Sequence, residues 1–278
     1  MSVLIKLRDC NSFSVAEAGV RDYILRNSRS VLNQTIYDVA RLSFTSPATV
    51  SRMCKRLGVS SFQEFKVRLA EEVDHYEHLS LDLLDSTTLN RDDDVGVVVE
   101  KITNIEVAAI EETRLLIDHS VVTQVIDLIR RSSVIDFYGV GASNLVAMDA
   151  HSKFMRVGKC SIVFQQYDRQ YVQALNSDQN HMAVIFSYSG ETAEVIKIAG
   201  ILKRQGVPMV SITKSDKNSV SALADYSLFV TARETLRRSG AMASRSAMLY
   251  IVDIIYSMYL LTDYDALTER VSRTFISN

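Results

Sequence analysis

The segment Val134-Ile-Asp-Phe-Tyr-Gly-Val-Gly-Ala-Ser-Asn144 decides which fold is predicted for the second half of the chain. Its first residues are β-branched or aromatic, as in a strand, and they run into a glycine-rich turn placed to open a helix. Similar apolar runs follow at 160–164, 182–186, 209–213 and 226–230. Continuous apolar strands that alternate with helices are buried on both faces, so the pattern predicts a doubly wound, mostly parallel five-stranded α/β domain with a flavodoxin-like layout.

The stretches between and after these strands have helical spacing. The predicted helices lie near 144–157, 171–175, 192–205, 219–224 and 242–261. A strand is thus followed each time by a helix. This alternation is what a parallel sheet with crossover connections requires.

The first 75 residues have helical spacing instead, and they predict an all-α region. Ser14 is placed to cap a helix through Asn27, Thr35 a short helix through about Leu42, and Ser46-Pro47 a helix ending near Leu57. Gly58 is placed to end that helix in the left-handed conformation. A further helix is predicted to start at Ser60 or Ser61.

The periodicity fades from His75 to about Asp94, where the composition becomes polar and acidic. A long helix is predicted from Val95 to Ile117, and a second one up to Arg131. The predicted organisation is a helical domain over 1–77, a linker region over 78–106 and the α/β domain over 107–278.

The average charge hides an asymmetry between the two halves. The 278 residues have a net charge of −2, but residues 1–75 hold 11 of the 31 Lys and Arg and only 8 of the 33 Asp and Glu. A local basic excess of this kind favours contact with a phosphate backbone. No long apolar span or signal peptide is evident, and three distant cysteines indicate neither a disulfide framework nor a metal site, so a cytoplasmic location is expected.

Two short helices joined by a tight turn, 36–42 and 47–57, have the layout of a helix-turn-helix motif. Val50, Cys54 and Leu57 recur at helical spacing and predict the buried face of the second helix. The residues predicted to face DNA are Ser46, Ala48, Thr49, Ser51, Arg52, Lys55 and Arg56. Arginine can contact guanine through two hydrogen bonds, and lysine suits backbone phosphates. The alternative is an ordinary helical hairpin with a solvated basic face.

Two loops at strand ends predict a phosphate site. Gly141 and Ser143 follow the first strand, and Ser187, Ser189, Gly190 and Thr192 follow the third. Hydroxyls and free amides at helix N-termini suit a phosphate monoester, and doubly wound sheets bind ligands at this edge. Each loop alone also fits a plain helix cap. A dinucleotide site is disfavoured because the third glycine is missing and Phe164-Gln165-Gln166 offers no acid for a ribose.

The stretch Ser46-Pro-Ala-Thr-Val-Ser-Arg-Met-Cys-Lys-Arg-Leu-Gly-Val-Ser-Ser-Phe-Gln-Glu-Phe-Lys66 resembles the helix-turn-helix of RpiR/MurR-type bacterial regulators. In that family a sugar-isomerase (SIS) domain follows, and the Ser-x-Ser-Gly-x-Thr and G-x-G-x-S patterns are similar to its phosphate-binding signatures. The resemblance implies a transcriptional regulator of sugar metabolism whose operator binding changes when a phosphosugar occupies Ser143, Ser187, Ser189 and Thr192. It leaves open whether Glu234 or Arg245 contacts the sugar.

The rival hypothesis is a phosphosugar aldose-ketose isomerase with a helical dimerisation domain and Glu234 as its base. His75 and His78 share a helical face, but no third ligand is in view, so no metal site is predicted. The favoured prediction is a regulator without catalytic residues or cofactor. Its expected partners are double-stranded operator DNA, a phosphorylated sugar and further copies of the chain in a homodimer or homotetramer, with no membrane contact.

Overall fold

The structure is a computed structural model that describes residues 3–10, 13–80, 89–232 and 241–275. The chain divides into two compact units, 1–108 and 109–278. The long helix Val95–Leu116 begins in the first unit and ends in the second. The domain boundaries at 77 and 106 stay a prediction.

The first unit is helical throughout its described part. Its helices are α1 (Val3–Asp9), α2 (Val15–Arg26), α3 (Ser28–Val31), α4 (Ile36–Leu42), α5 (Pro47–Arg56), α6 (Phe62–Ser80) and the start of α7 (Val95–Leu116). Ser14 and Thr35 form capping boxes with Glu17 and Asp38, and each box satisfies two free N–H groups at its helix start. The predicted caps are therefore confirmed, whereas α6 continues well past His75, where the apolar periodicity had faded.

The second unit contains a single five-stranded sheet in its described part. Its elements are the end of α7, α8 (His119–Arg131), β1 (Val134–Gly139), α9 (Ala142–Arg156), β2 (Ser161–Val163), α10 (Tyr167–Asn176), β3 (His181–Phe186), α11 (Ala193–Gln205), β4 (Met209–Lys214), α12 (Ser219–Leu223), β5 (Tyr226–Val230), α13 (Met242–Leu260), a 3₁₀ turn (Leu261–Asp263) and α14 (Tyr264–Ser272). All strand pairs are parallel, and the order is β2-β1-β3-β4-β5. This order confirms the flavodoxin-like layout.

Helices cover both faces of the sheet, which is why the strands are continuously apolar. Helices α8, α9 and α13 pack on one face, and α10, α11 and α12 pack on the other. Phe137 and Tyr138, adjacent in β1, are both fully buried because successive side chains point to opposite faces. The sheet edge that carries the strand C-termini is thus held rigidly, and the loops that leave it are positioned by the core.

Candidate functional site

Helices α4 and α5 form the predicted helix-turn-helix pair. The inner face of α5 consists of Val50, Met53 and Cys54, with Leu57 just after the helix, and all four are buried. Burial raises the pKa of the Cys54 thiol to about 12, so this thiol remains protonated at neutral pH. The predicted core positions of α5 are confirmed.

The outer face of α5 differs from the predicted one at a single residue. Ala48, Arg52, Lys55 and Arg56 are exposed and Ser51 is half-buried, but Thr49 is only 4% exposed. The expectation that Thr49 faces outward is wrong, because Thr49 lies four residues before the buried Met53 and shares its face of α5. Its N–H donates to the capping hydroxyl of Ser46 over 3.3 Å, and its hydroxyl oxygen accepts a 3.2 Å hydrogen bond from Arg52 Nη2, so Thr49 takes part in the cap of α5.

Arg56 has a structural partner that the sequence did not indicate. Its Nε lies 3.2 Å from Oε1 of Glu17, a carboxylate that is 2% exposed and closes the capping box of α2 with Ser14. Burial raises the pKa of Glu17, but the Ser14 hydrogen bonds and the Arg56 charge outweigh it, so the pKa is lowered overall. Arg56 therefore stabilises the packing of α5 on α2, whereas Lys55 forms no ion pair with another residue in the described part of the chain.

The two predicted phosphate loops leave the sheet side by side. Gly139, the last residue of β1, is paired in register with Phe186, the last residue of β3. We call residues 140–143 the β1 loop and residues 187–192 the β3 loop. Because β1 and β3 are neighbours and β2 lies on the far side of β1, these loops flank the point where the strand order reverses. Doubly wound sheets bind ligands at that point.

The β1 loop opens α9 through a tight turn. Gly141 has φ 58° and stands at the N-cap, and the N–H of Ser143 donates to the Val140 carbonyl over 3.2 Å. A Cβ on Gly139 would lie 2.9 Å from the carbonyl oxygen of Ser143, so this glycine permits the close approach of strand and helix. Ser143 itself is half-buried. Sequence reasoning missed the packing role of Gly139.

The β3 loop contains a buried hydroxyl with no protein partner. Ser187 is 2% exposed, and its Oγ makes no hydrogen bond within the described part of the chain. Buried polar groups in native proteins are nearly always paired, and an unpaired one calls for an explanation such as a missing ligand or water. Ser189 and Thr192 are half-buried in the same loop, and the Thr192 hydroxyl does not cap α11.

Gly190 determines the path of the β3 loop. It has φ 66°, and a Cβ there would lie 2.0 Å from Oδ1 of Asn218. Its carbonyl accepts a 3.1 Å hydrogen bond from the N–H of Val220, so the loop is seated directly on the start of α12. The sequence predicted the turn glycine, but it did not predict Asn218 as its packing partner.

Glu191 fastens the β3 loop to α12 a second time. Its two carboxylate oxygens accept hydrogen bonds from the N–H and the hydroxyl of Ser219, at 2.8 and 2.7 Å. Nearby, Lys214 at the end of β4 donates its N–H to the Tyr188 carbonyl over 2.9 Å and contributes a positive charge beside the loop. Neither Glu191 nor Lys214 was among the predicted site residues.

The Glu191 contact is expected to depend on pH. Hydrogen bonds from the hydroxyl and N–H of Ser219 lower the pKa of Glu191 from its ordinary value of 4.5. The contact is therefore complete above about pH 4.5 and is lost as the pH falls through the lower pKa of the folded state. We expect the Ser219 amide resonance to titrate below pH 4.5, with faster hydrogen exchange at the acid end. Glu194→Gln, in the first turn of α11 just after the β3 loop, is the control, and a midpoint at or above pH 4.5 would contradict the assignment.

Other predicted positions fall outside this arrangement. Glu234 lies outside the described residues, as do the side chains of His75 and His78. Arg245 is half-buried in the first turn of α13. No group of His, Cys, Asp and Glu within the described ranges is arranged to hold a metal ion. A cavity of about 370 Å³ beside α10, lined by Asp136, Gln173 and His181 among others, contains none of the predicted phosphate ligands.

No helix among the described residues has the length and apolar character needed to cross a membrane. The two arrangements define a class of protein, a helix-turn-helix protein with a doubly wound α/β domain whose loops are suited to a phosphate. Family comparisons agree with both halves. The model of the rpiR-family helix-turn-helix domain matches residues 1–75, and the SIS domain model matches residues 128–258.

Similar proteins span nearly the whole chain. An HTH-type transcriptional regulator of Caldanaerobacter subterraneus subsp. tengcongensis is 32% identical, over 98% of this chain and 95% of its own length. The HTH-type transcriptional regulator YbbH of Bacillus subtilis is 31% identical, over 93% and 90%. The solved structure of the Vibrio vulnificus NanR protein complexed with ManNAc-6P has a TM-score of 0.61 and 28% identity, and it covers 98% of this chain and 96% of that one. This chain belongs to the rpiR family of HTH-type transcriptional regulators with a SIS domain.

Proposed function

We propose that this regulator binds operator DNA through α5 and that a phosphorylated sugar, held by the β1 and β3 loops, changes that binding. The buried hydroxyl of Ser187, which has no partner within the described part of the chain, carries the ligand half of the proposal, because a phosphate oxygen is a strong acceptor for it. The proposed ligands are Gly141, Ser143, Ser187, Ser189, Gly190 and Thr192. The similar NanR protein was solved with ManNAc-6P, which supports the same ligand class for this chain.

The proposed DNA contacts are made by Ser46, Ala48, Ser51, Arg52 and Lys55, with Thr49 supporting the cap and Arg56 shared with Glu17. We propose that residues 1–77 form the DNA-binding domain, residues 78–106 the linker region and residues 107–278 the phosphosugar-binding domain. Symmetric operators call for two recognition helices, so we propose a homodimer or homotetramer. The protein would act in the cytoplasm, where operator DNA is found.

Helix α7 is the proposed route of coupling. Its residues Glu112 and Thr113 are buried and pair with Thr231, just after β5: the Thr231 hydroxyl donates to Glu112, and the Thr231 N–H donates to Thr113 Oγ1 over 3.2 Å. The C-terminal end of α7 is thus fastened at the sheet edge that carries the ligand loops. A ligand that favours one arrangement of this edge would change the DNA affinity by its differential binding energy.

A thermal-shift screen with sugar phosphates tests the proposal. A ligand at 100 times its Kd adds about 2.7 kcal/mol to the stability of the folded protein. For a chain of this size we expect the melting temperature to rise by about 5–10 °C. The panel includes ManNAc-6P and glucose 6-phosphate, with the unphosphorylated sugars as controls. Equal shifts with and without the phosphate would contradict a phosphate site.

The alternative function, an aldose-ketose phosphate isomerase, makes a different prediction. We propose that the protein is not an enzyme, because the similar full-length relatives are named as transcriptional regulators. The sugar phosphate that binds should remain chemically unchanged after incubation with the protein. Turnover that disappears in a Glu234→Gln variant would favour the isomerase instead.

A further inference from the structure

The turn between α4 and α5 contains a phenylalanine where the backbone favours glycine. Phe44 has φ 54°, in the left-handed region that bulky side chains rarely adopt. Its N–H donates to the Arg41 carbonyl over 3.2 Å, and the N–H of Thr45 donates to the Ala40 carbonyl over 2.7 Å. These two hydrogen bonds form a Schellman motif, whose left-handed position is usually occupied by glycine.

The same chain shows the usual solution elsewhere. The identical pair of hydrogen bonds, from residues n and n+1 to the carbonyls of n−3 and n−4, occurs where n is 58, 158 or 206. Each of those residues is a glycine with a φ between 69° and 78°. Phe44 therefore departs from the pattern that this chain follows at the ends of α5, α9 and α11, and a side chain at this position disfavours the fold.

Packing within the protein does not explain the phenylalanine. Phe44 is 96% exposed, so its ring contributes almost nothing to the core of the first unit. An aromatic residue that is strained and exposed points to a contact outside the folded chain. Tyr37 in α4, which is also largely exposed, is a second aromatic on the same helix pair.

We infer that Phe44 contacts the DNA duplex beside the bases read by α5, by packing its ring against the methyl group of a thymine in the major groove. This inference rests on the proposed function, because it requires α5 to be the recognition helix. The position favours DNA over a protein partner. Phe44 is two residues before Ser46, which caps α5, and every charged residue from 41 to 56 is basic: Arg41, Arg52, Lys55 and Arg56. Phenylalanine is among the side chains that read the thymine methyl by apolar contact.

The test uses the full-length protein and duplex DNA that the wild type selects from a pool of randomised sequence. We expect Phe44→Gly to bind the selected duplex about 5- to 10-fold more weakly, the loss of one base contact. Replacing thymines one at a time by uracil removes only the methyl group. One such replacement in each half-site should weaken the wild type by a similar factor and leave Phe44→Gly unchanged.

Stability separates this role from a structural one. Phe44→Gly relieves the backbone strain of the left-handed conformation. We therefore expect the melting temperature of the first unit to rise by about 2–4 °C while the affinity for DNA falls. Phe44→Asn is the second variant, because asparagine tolerates the left-handed backbone but has no aromatic ring. The inference is overturned if Phe44→Gly binds the selected duplex like the wild type while Arg52→Ala does not. It is also overturned if Phe44→Gly changes the oligomeric state of the protein, measured as its mass in solution. If the wild type enriches no sequence, the proposed DNA function has failed instead.

Discussion

A Ser187→Ala variant is expected to lose phosphosugar affinity by about 10- to 150-fold, since a hydrogen bond to a charged group contributes about 1.5–3 kcal/mol. The ligand-free protein should not be destabilised. The Ser187 hydroxyl is buried and has no partner among the described residues, so replacing it removes an unsatisfied donor rather than a contact. Calorimetric titration with the sugar phosphate found in the screen, together with thermal unfolding of the ligand-free variant, measures both effects.

Ser211→Ala on the neighbouring strand β4 is the matched control. Ser211 is equally buried, but its hydroxyl donates to Ser227 Oγ over 2.9 Å. Its removal should lower the free energy of unfolding by about 1 kcal/mol and leave the phosphosugar affinity unchanged. Loss of stability in both variants, with ligand affinity retained in both, would show that Ser187 does not face the ligand.

Ser189→Ala addresses the regulatory consequence of the same loop. Ser189 lies in the β3 loop, where its Oγ accepts a 3.2 Å hydrogen bond from the Glu191 N–H. DNA binding by the ligand-free variant should match the wild type, and the response to the sugar phosphate should disappear. A normal response would mean that the effector binds elsewhere in the protein.

Arg52→Ala is expected to weaken binding to the operator by about 5- to 150-fold, the value of one bidentate base contact. The preference for guanine at one position of each half-site should be lost with it. Arg52 is exposed on α5, and within the described residues its side chain donates a hydrogen bond only to Thr49 Oγ1, so the guanidinium can exchange this partner for a base. Competition between duplexes that differ at single positions measures both effects.

Lys55→Ala should behave differently, because lysine suits a phosphate rather than a base. We expect weaker binding to all sequences and a salt dependence reduced by about one phosphate contact. Arg130→Ala is the control for the loss of a positive charge away from α5. Arg130 is exposed on α8, and its ion pair with Asp127 is long, at 3.8 Å. A uniform loss in Arg52→Ala, with no change in base preference, would assign Arg52 to the backbone instead.

Local sequence signals predicted most of the elements. The strands β1 to β5 and the helices α2, α4 and α5 were found because their apolar period, capping residues and turn glycines act over a few neighbouring residues. Helices α1, α3 and α14 were missed, since they are short segments whose helical pattern is weak. Helix α10 was predicted too short because its start at Tyr167 follows polar residues without a capping hydrogen bond.

The candidate site also combines features that local sequence predicted with features that only packing determines. Ser187, Ser189, Gly190 and Thr192 were found from a local pattern, but the burial of the Ser187 hydroxyl depends on the packing around β3. The contacts of Gly190 with Asn218 and of Glu191 with Ser219 join residues that are 28 positions apart in both cases. Thr49 was assigned to the wrong face because only Val50, Cys54 and Leu57 were used to define the buried side, whereas Thr49 lies four residues before the buried Met53.

The sequence by itself determined that this chain has a helix-turn-helix region followed by an α/β domain with a parallel sheet, because periodicity and turn chemistry are local properties of the chain. Tertiary structure alone decided that the β1 and β3 loops are neighbours, that the Ser187 hydroxyl has no partner among the residues described, and that Arg56 pairs with Glu17. Those outcomes follow from strand order and helix packing, since both bring together residues that no local pattern connects.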